Sequence, residues 1–219
     1  MRGNLISFEG GDGTGKSTQI ERLARRLTAA GRRVVHTREP GGTRLGEAIR
    51  ALLQTSKEGE GMQPETELLL FAASRAELVR SVIQPALESG AIVLADRFLD
   101  STTVYQGLAR RLDPEEVAQV NAFALGGLRP DLTLLLDLEP HLARERLTAR
   151  LAPGETPDRM ESQPEAFHQA VRDGYLKIAR AEPQRIRLVD ASGAVDTVAQ
   201  SIDSILEEHF HGLFAPSSV

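Results

Sequence analysis

The chain contains no cysteine and no tryptophan. Without thiols there is no disulfide, no thiolate nucleophile and no zinc–thiolate site. Two tyrosines and seven phenylalanines are the only aromatic residues, so any of them in a polar neighbourhood merits attention. Apolar runs never exceed the length of a strand, and no membrane span is expected. Residues 1–10 lack a basic region followed by a long apolar stretch, which predicts no signal peptide and a cytoplasmic location. Basic charge is not in excess: 26 Lys and Arg stand against 31 Asp and Glu, a net charge of −5. That balance argues against bulk nucleic-acid binding but leaves room for a local cationic pocket.

What remains is 219 residues, 41% hydrophobic and 26% charged, enough for one core and short for two. Short apolar runs at residues 5–9, 33–38, 92–95, 132–136 and 186–189 read as strands. Between them lie segments of helical periodicity: residues 16–30, 45–53, 65–89, 102–110, 114–125, 142–151, 164–181 and 195–209. Pro85 is expected to bend the third of these. Asp113 and Pro114 form an N-cap and first-turn pair. Residues 56–64 and 152–158 read as loops. Strands that are apolar throughout are covered on both faces. The sequence therefore predicts an α/β fold with about five parallel strands between helix layers, one domain over residues 1–209, and a frayed tail over 210–219.

Gly10-Gly11-Asp12-Gly13-Thr14-Gly15-Lys16-Ser17 fits G-x-x-x-x-G-K-[ST], after a strand and opening a helix. Glycines let backbone N–H groups converge on phosphate oxygens, and the helix N-terminus adds its positive end. Lys16 can reach β- and γ-phosphates, and Ser17 offers a hard oxygen suited to Mg²⁺. Thr18 follows in the same turn. The motif specifies a nucleoside triphosphate, not a reaction.

A GTPase would need an N-K-x-D segment, but the two asparagines, Asn4 and Asn121, are not followed by lysine. Asp190-Ala191-Ser192-Gly193 spells D-x-x-G too late in the chain for a switch, and a strand-end turn explains it. A small kinase fits better. Asp96 closes an apolar strand at the sheet edge that carries the P-loop, where it could hold Mg²⁺ through water. Arg97 follows. Alone, Asp-Arg is equally a surface ion pair; beside a P-loop, it suits a second, acceptor phosphate.

Four segments carry a resemblance. They are Phe8 to Thr18, Thr37-Arg38-Glu39-Pro40-Gly41-Gly42-Thr43, Asp96-Arg97-Phe98 with Tyr105-Gln106-Gly107, and Arg129-Pro130-Asp131-Leu132-Thr133. In this order and spacing the chain resembles bacterial thymidylate kinases, P-loop nucleoside monophosphate kinases, over nearly its whole length. The resemblance implies transfer of the ATP γ-phosphoryl group to dTMP with Mg²⁺, and a homodimer packed through helices. The alternatives are a kinase for another nucleoside monophosphate or a deoxynucleoside, and a P-loop module that binds nucleotide without transfer.

The resemblance also implies roles. Asp12 meets the acceptor's 3′-hydroxyl; read without it, an Asx turn is equally reasonable. Phe71 stacks on the base and Arg75, four residues on, hydrogen-bonds it; on their own these two read as a core ring and a solvated charge. Thr102 and Gln106 read the base edge, since an amide both donates and accepts. Tyr105 crowds the sugar 2′ position, Arg50 and Arg97 clamp the acceptor phosphate, and Glu39 lies beside that site. Residues 142–158 correspond to a lid. Family members carry a catalytic arginine either in the P-loop or in the lid. Gly13 occupies the P-loop position here, so the charge is expected from Arg150, with Arg146 one helical turn away. The five histidines show no ligand spacing.

Overall fold

In the computed structural model, which describes residues 2–150 and 158–215, five parallel strands form one sheet. They are β1 (Leu5–Glu9), β2 (Val34–Arg38), β3 (Ile92–Asp96), β4 (Leu132–Asp137) and β5 (Ile186–Asp190), in the order β2-β3-β1-β4-β5. The three central strands are buried almost end to end, whereas β2 and β5 at the edges are partly exposed. That explains why the central strands lack polar alternation. Successive side chains leave opposite faces. Ile6 and Phe8 pack with α1 (Lys16–Ala29) and α9 (Val195–His209), through Ile20, Leu23, Leu27, Ile202 and Leu206. Leu5, Val93 and Ala95 pack on the other face against Leu78, Val79, Ile83 and Leu87. Helices on both faces give three layers, as expected.

Parallel pairing brings the carboxyl ends of the strands to one edge. Phe8 and Arg38 are both in register with Asp96, and Glu9 with Leu135. Strand order reverses around β1, so the crevice forms there.

The helices on the β2–β3 side are less regular than their periodicity suggests. Residues 65–89 were expected as one helix with a bend. The structure has α3 (Pro64–Leu78), a π segment (Val79–Ile83) and α4 (Gln84–Glu88) in continuous succession. Pro85 has no N–H to give, and its ring crowds the preceding turn; the wider π turn just before it accommodates both. A second π segment, Thr103–Ala109, follows the short α5 (Leu99–Thr102) where a plain helix over 102–110 was expected. A short 3₁₀ turn, Lys57–Gly59, lies in the expected loop 56–64. Remaining helices are α2 (Arg44–Gln54), α6 (Pro114–Leu125), α7 (Pro140–Arg150) and α8 (Glu165–Ala181). Asp113 caps α6 by accepting the N–H groups of Glu115 and Glu116, as its position predicts.

The tail corrects the sequence reading. Leu213 is buried in the main core, with Phe210 and Phe214 packed beside it. The Arg32 guanidinium donates to the carbonyls of Gly212, Leu213 and Ala215. Residues 210–215 are therefore docked rather than frayed, and the rest of the expected tail lies outside the described residues. Residues 152–157 of the expected loop 152–158, and residue 151 at the end of the helix expected before it, lie outside them too.

Candidate active site

A cleft of about 810 Å³ opens at the carboxyl edge of the sheet. The turn after β1 forms its floor. Gly13 adopts φ 81°, and a Cβ there would lie 2.2 Å from the carbonyl oxygen of Ala143 on α7. The P-loop and α7 are thus in backbone contact, and an arginine at this position could not be seated without moving the helix. The Lys16 ammonium donates to the carbonyls of Gly10 (3.1 Å) and Gly11 (2.8 Å). Burial and repulsion from Arg97 lower its pKa to about 8, against the pull of Asp12, Asp96 and Glu9. Ser17 Oγ donates to Asp96 Oδ2 at 2.8 Å. This joins two hard oxygen donors, one from α1 and one from the end of β3, which is the donor chemistry that suits Mg²⁺. Among the described residues no group of three His, Cys, Asp or Glu offers an all-protein metal cage.

Arg97 begins the next wall. Its φ of 67° is a left-handed conformation that a bulky side chain seldom adopts. The conformation is held from several sides. Arg97 N–H donates to Phe8 O, and the N–H of Phe98 donates to Glu9 Oε1 at 2.8 Å. Glu9 also accepts from Ser101 Oγ (2.6 Å) and Tyr175 OH (2.8 Å). Burial and the neighbouring Asp100 raise the Glu9 pKa to about 7. The Arg97 guanidinium binds Asp12 Oδ1 at 2.5 Å and the Gly10 carbonyl at 3.0 Å, and stands 5.1 Å from the centre of the Tyr105 ring. Burial works against ionisation of Asp12, but the charges of Arg97 and Lys16 prevail and hold it at about 2. Asp12 is therefore an ionised acceptor tied to Arg97, where the sequence left a sugar contact and a local turn both open.

The far wall comes from β2, α2, α3 and the second π segment. Glu39 N–H donates to Asp96 O, and the Glu39–Pro40 peptide is cis. Arg50 donates to Pro40 O and lines the cleft. Phe71 is half-buried and also lines it, with Thr102, Tyr105 and Gln106. Arg75 departs most from its own sequence reading. It is 1% exposed and lies behind this wall, with three hydrogen bonds to Glu39 of 2.6–3.1 Å and others to Asn121, Phe98 O and Thr102. The solvated charge is a buried ion pair, and Arg75 is not among the residues that line the cleft.

Beyond the P-loop stand α7 and the turn after β5. Arg146 donates to the carbonyls of Ala191 and Ser192. Asp190 Oδ1 accepts from Ser192 N–H at 2.8 Å, so D-x-x-G is the strand-end turn that was expected. Arg150 is 67% exposed, with a long contact of 3.4 Å to Glu161. Arg146 and Arg150 both line the cleft, but they point to different partners.

The cleft thus gathers Asp12 to Thr18, Glu39, Arg50, Phe71, Asp96, Arg97, Thr102, Tyr105, Gln106, Arg146 and Arg150. Gly10 and Gly11 instead border a smaller cavity behind the P-loop. Sequence reasoning missed Glu9, Glu67, Ser101 and Tyr175. Glu9 had left a signal, since a carboxylate within an apolar strand needs buried partners. The pairing of Tyr175 with Ser101 had no local trace.

The thymidylate kinase family profile matches residues 8–202. Proteins named thymidylate kinase are similar over most of the chain. That of Symbiobacterium thermophilum is 50% identical, covering 93% of this chain and 92% of its own. That of Bifidobacterium longum NCC 2705 is 47% identical, over 95% and 99%. That of Bradyrhizobium diazoefficiens is 47% identical, over 100% and 94%. The match spans the P-loop, Arg97 and the aromatic wall alike, and the chain belongs to the thymidylate kinase family.

Proposed function

We propose that the chain transfers the γ-phosphoryl group of ATP to dTMP, giving dTDP and ADP. The observation that carries this reading is a single cleft joining the P-loop to a second cationic and aromatic wall, with Arg97 between them. A binding module needs only the first half.

Lys16 and the P-loop N–H groups would take the triphosphate of ATP. Ser17 and Asp96 would hold Mg²⁺, whose contribution is to neutralise charge on the β- and γ-phosphate oxygens. Arg97 and Arg50 would fix the acceptor phosphate in line with the donor. Asp12, ionised and tied to Arg97, would accept the 3′-hydroxyl, so one ion pair orients both ends of the deoxyribose phosphate. Phe71 would cover one face of the base, Thr102 and Gln106 its edge, and Tyr105 the 2′ side. Arg75, behind this wall, would act on the base through Thr102, to which its guanidinium donates. Glu39 joins in by its bond to Arg75. The acceptor phosphate is already an anion, so no strong general base is required. Catalysis then consists of alignment and charge neutralisation by Lys16, Arg97 and the lid arginines. Of the lid expected over residues 142–158, residues 142–150 belong to α7 and would bring Arg150 to the transferring group and help exclude water.

We place the enzyme in the cytoplasm as a homodimer of one domain, with residues 210–215 docked on its core. Phe123 on α6 and Leu69 on α3 are both exposed, and these two helices pack against each other. Sedimentation at micromolar concentration checks the dimer. A coupled assay over dTMP, dUMP, CMP, AMP and thymidine checks the reaction. Turnover highest on dTMP supports the reading; ATP binding without product from any acceptor overturns it.

A further inference from the structure

Glu67 is 1% exposed in the first turn of α3 and lies outside the cleft. Its carboxylate accepts from the amide nitrogen of Gln106 at 2.7 Å. The same group meets two guanidiniums, Arg159 at 2.7 Å and Arg110 at 3.4 Å. Arg159 is fixed in turn by its bond to Leu53 O at 2.8 Å. A carboxylate flanked by two cations offers acceptors only. The Gln106 amide therefore has one tolerable orientation, because a half-turn would set its carbonyl oxygen against Glu67. Gln106 lines the cleft with Phe71 and Thr102, and among the described residues its side-chain Oε1 receives no hydrogen bond.

We propose that Glu67 is a specificity-determining positioning residue. By holding the Gln106 amide nitrogen, it presents a carbonyl acceptor to the cleft and so selects bases with a ring N–H at that edge. The proposal rests on the reading of this end of the cleft as the base subsite. Thymine and uracil carry an imide N–H between two carbonyls, which Gln106 can accept. Cytosine carries a bare ring nitrogen there, whose lone pair would face the Gln106 oxygen. Discrimination against cytosine thus originates in a residue that never touches the base. A site that hydrogen-bonds one substrate and leaves a buried group unpaired with another discriminates strongly.

The test compares kcat/KM for dTMP, dUMP and dCMP in the parent enzyme and in Glu67→Gln, with thermal melts to show folding. In Glu67→Gln the neighbour can donate as well as accept, so Gln106 can turn. The ratio of dTMP to dCMP should fall by about tenfold or more, the loss of one hydrogen-bond discrimination. The ratio of dTMP to dUMP should stay unchanged, because the two bases share the imide edge. Glu67→Asp, which keeps an acceptor-only carboxylate, should restore most of the preference. A merely structural role would lower all three substrates together, and that result, or an unchanged ratio of dTMP to dCMP, would overturn the proposal. Should Glu67→Gln not fold, the double variant with Arg159→Gln removes opposite charges together and is read by the same ratios. Failure of the parent to use dTMP at all would instead overturn the functional reading.

Discussion

The buried pair of Arg75 and Glu39 permits a stability prediction from geometry. Their side chains are 1% and 3% exposed, and they share three hydrogen bonds. Glu39→Gln keeps an acceptor of the same shape but removes the charge opposite the guanidinium. Breaking a buried pair from one side costs about 3–5 kcal/mol, because the remaining ion is left uncompensated. Asn121, Phe98 O and Thr102 still solvate Arg75, which places the variant at the lower end, near 3 kcal/mol as an order of magnitude. For a chain of this size that corresponds to a fall in Tm of roughly 6–12 °C. Calorimetry and urea unfolding should agree on it. Arg75→Met together with Glu39→Gln removes both charges and should recover at least half of the loss, since a neutral pair of similar volume leaves no orphan ion. A Glu39→Gln variant within about 1 kcal/mol of the parent would refute the reasoning, placing the pair in the range of exposed ion pairs.

Three further outcomes follow from the site and the core. If Arg150 acts as proposed, only at the transition state, Arg150→Ala should lower turnover by about a thousandfold with ATP affinity nearly unchanged; single-turnover kinetics and ATP titration separate the two. The Lys16 pKa of about 8 lies below its ordinary 10.5, so the free native state holds fewer protons than the unfolded chain between those values, and this group's contribution to stability rises with pH across them. A bound triphosphate reverses the shift. ATP binding at pH 8.5 with saturating Mg²⁺ should therefore take up a measurable part of a proton, and far less at pH 7, as measured by calorimetry in buffers of different ionisation enthalpy. Leu213→Ala should cost about 2–3 kcal/mol of stability with kcat intact, because the tail is part of the core.

The legible parts of the fold were those fixed by local chemistry. The five apolar strands, the Asp113 and Pro114 start of α6 and the P-loop each depend on neighbours in sequence. The two π segments were not legible, since a shift from four to five residues per hydrogen bond hardly alters the hydrophobic period over a single turn. The tail misled for another reason. Phe210, Leu213 and Phe214 form no periodic pattern, and only the groove beside α1 and α9 makes them core. At the site, P-loop geometry followed from glycine spacing, and the arginines of the cleft were indicated by resemblance. Their partners were not. Arg75 and Glu39 are separated by 36 residues and Gln106 and Glu67 by 39, and no local rule pairs them.

The partners decide how the cleft can work. Each cation there is already satisfied in the free protein, but by groups of different strength. Lys16 rests on two neutral carbonyls and Arg146 on two others, contacts that a phosphate anion readily outcompetes. Arg150 is itself exposed, with one long contact to the half-buried Glu161, and can leave it at little cost. Arg97 differs, because Asp12 is a carboxylate at 2.5 Å and separation of that pair would leave two half-buried charges unpaired. The arrangement that conserves the most interaction keeps Arg97 on Asp12 and turns its remaining N–H groups to an incoming phosphate, releasing the Gly10 carbonyl. In the proposed reaction Arg97 would then be a fixed reference point around which Lys16 and the α7 arginines rearrange, a role that suits a left-handed residue braced through Phe98 by Glu9.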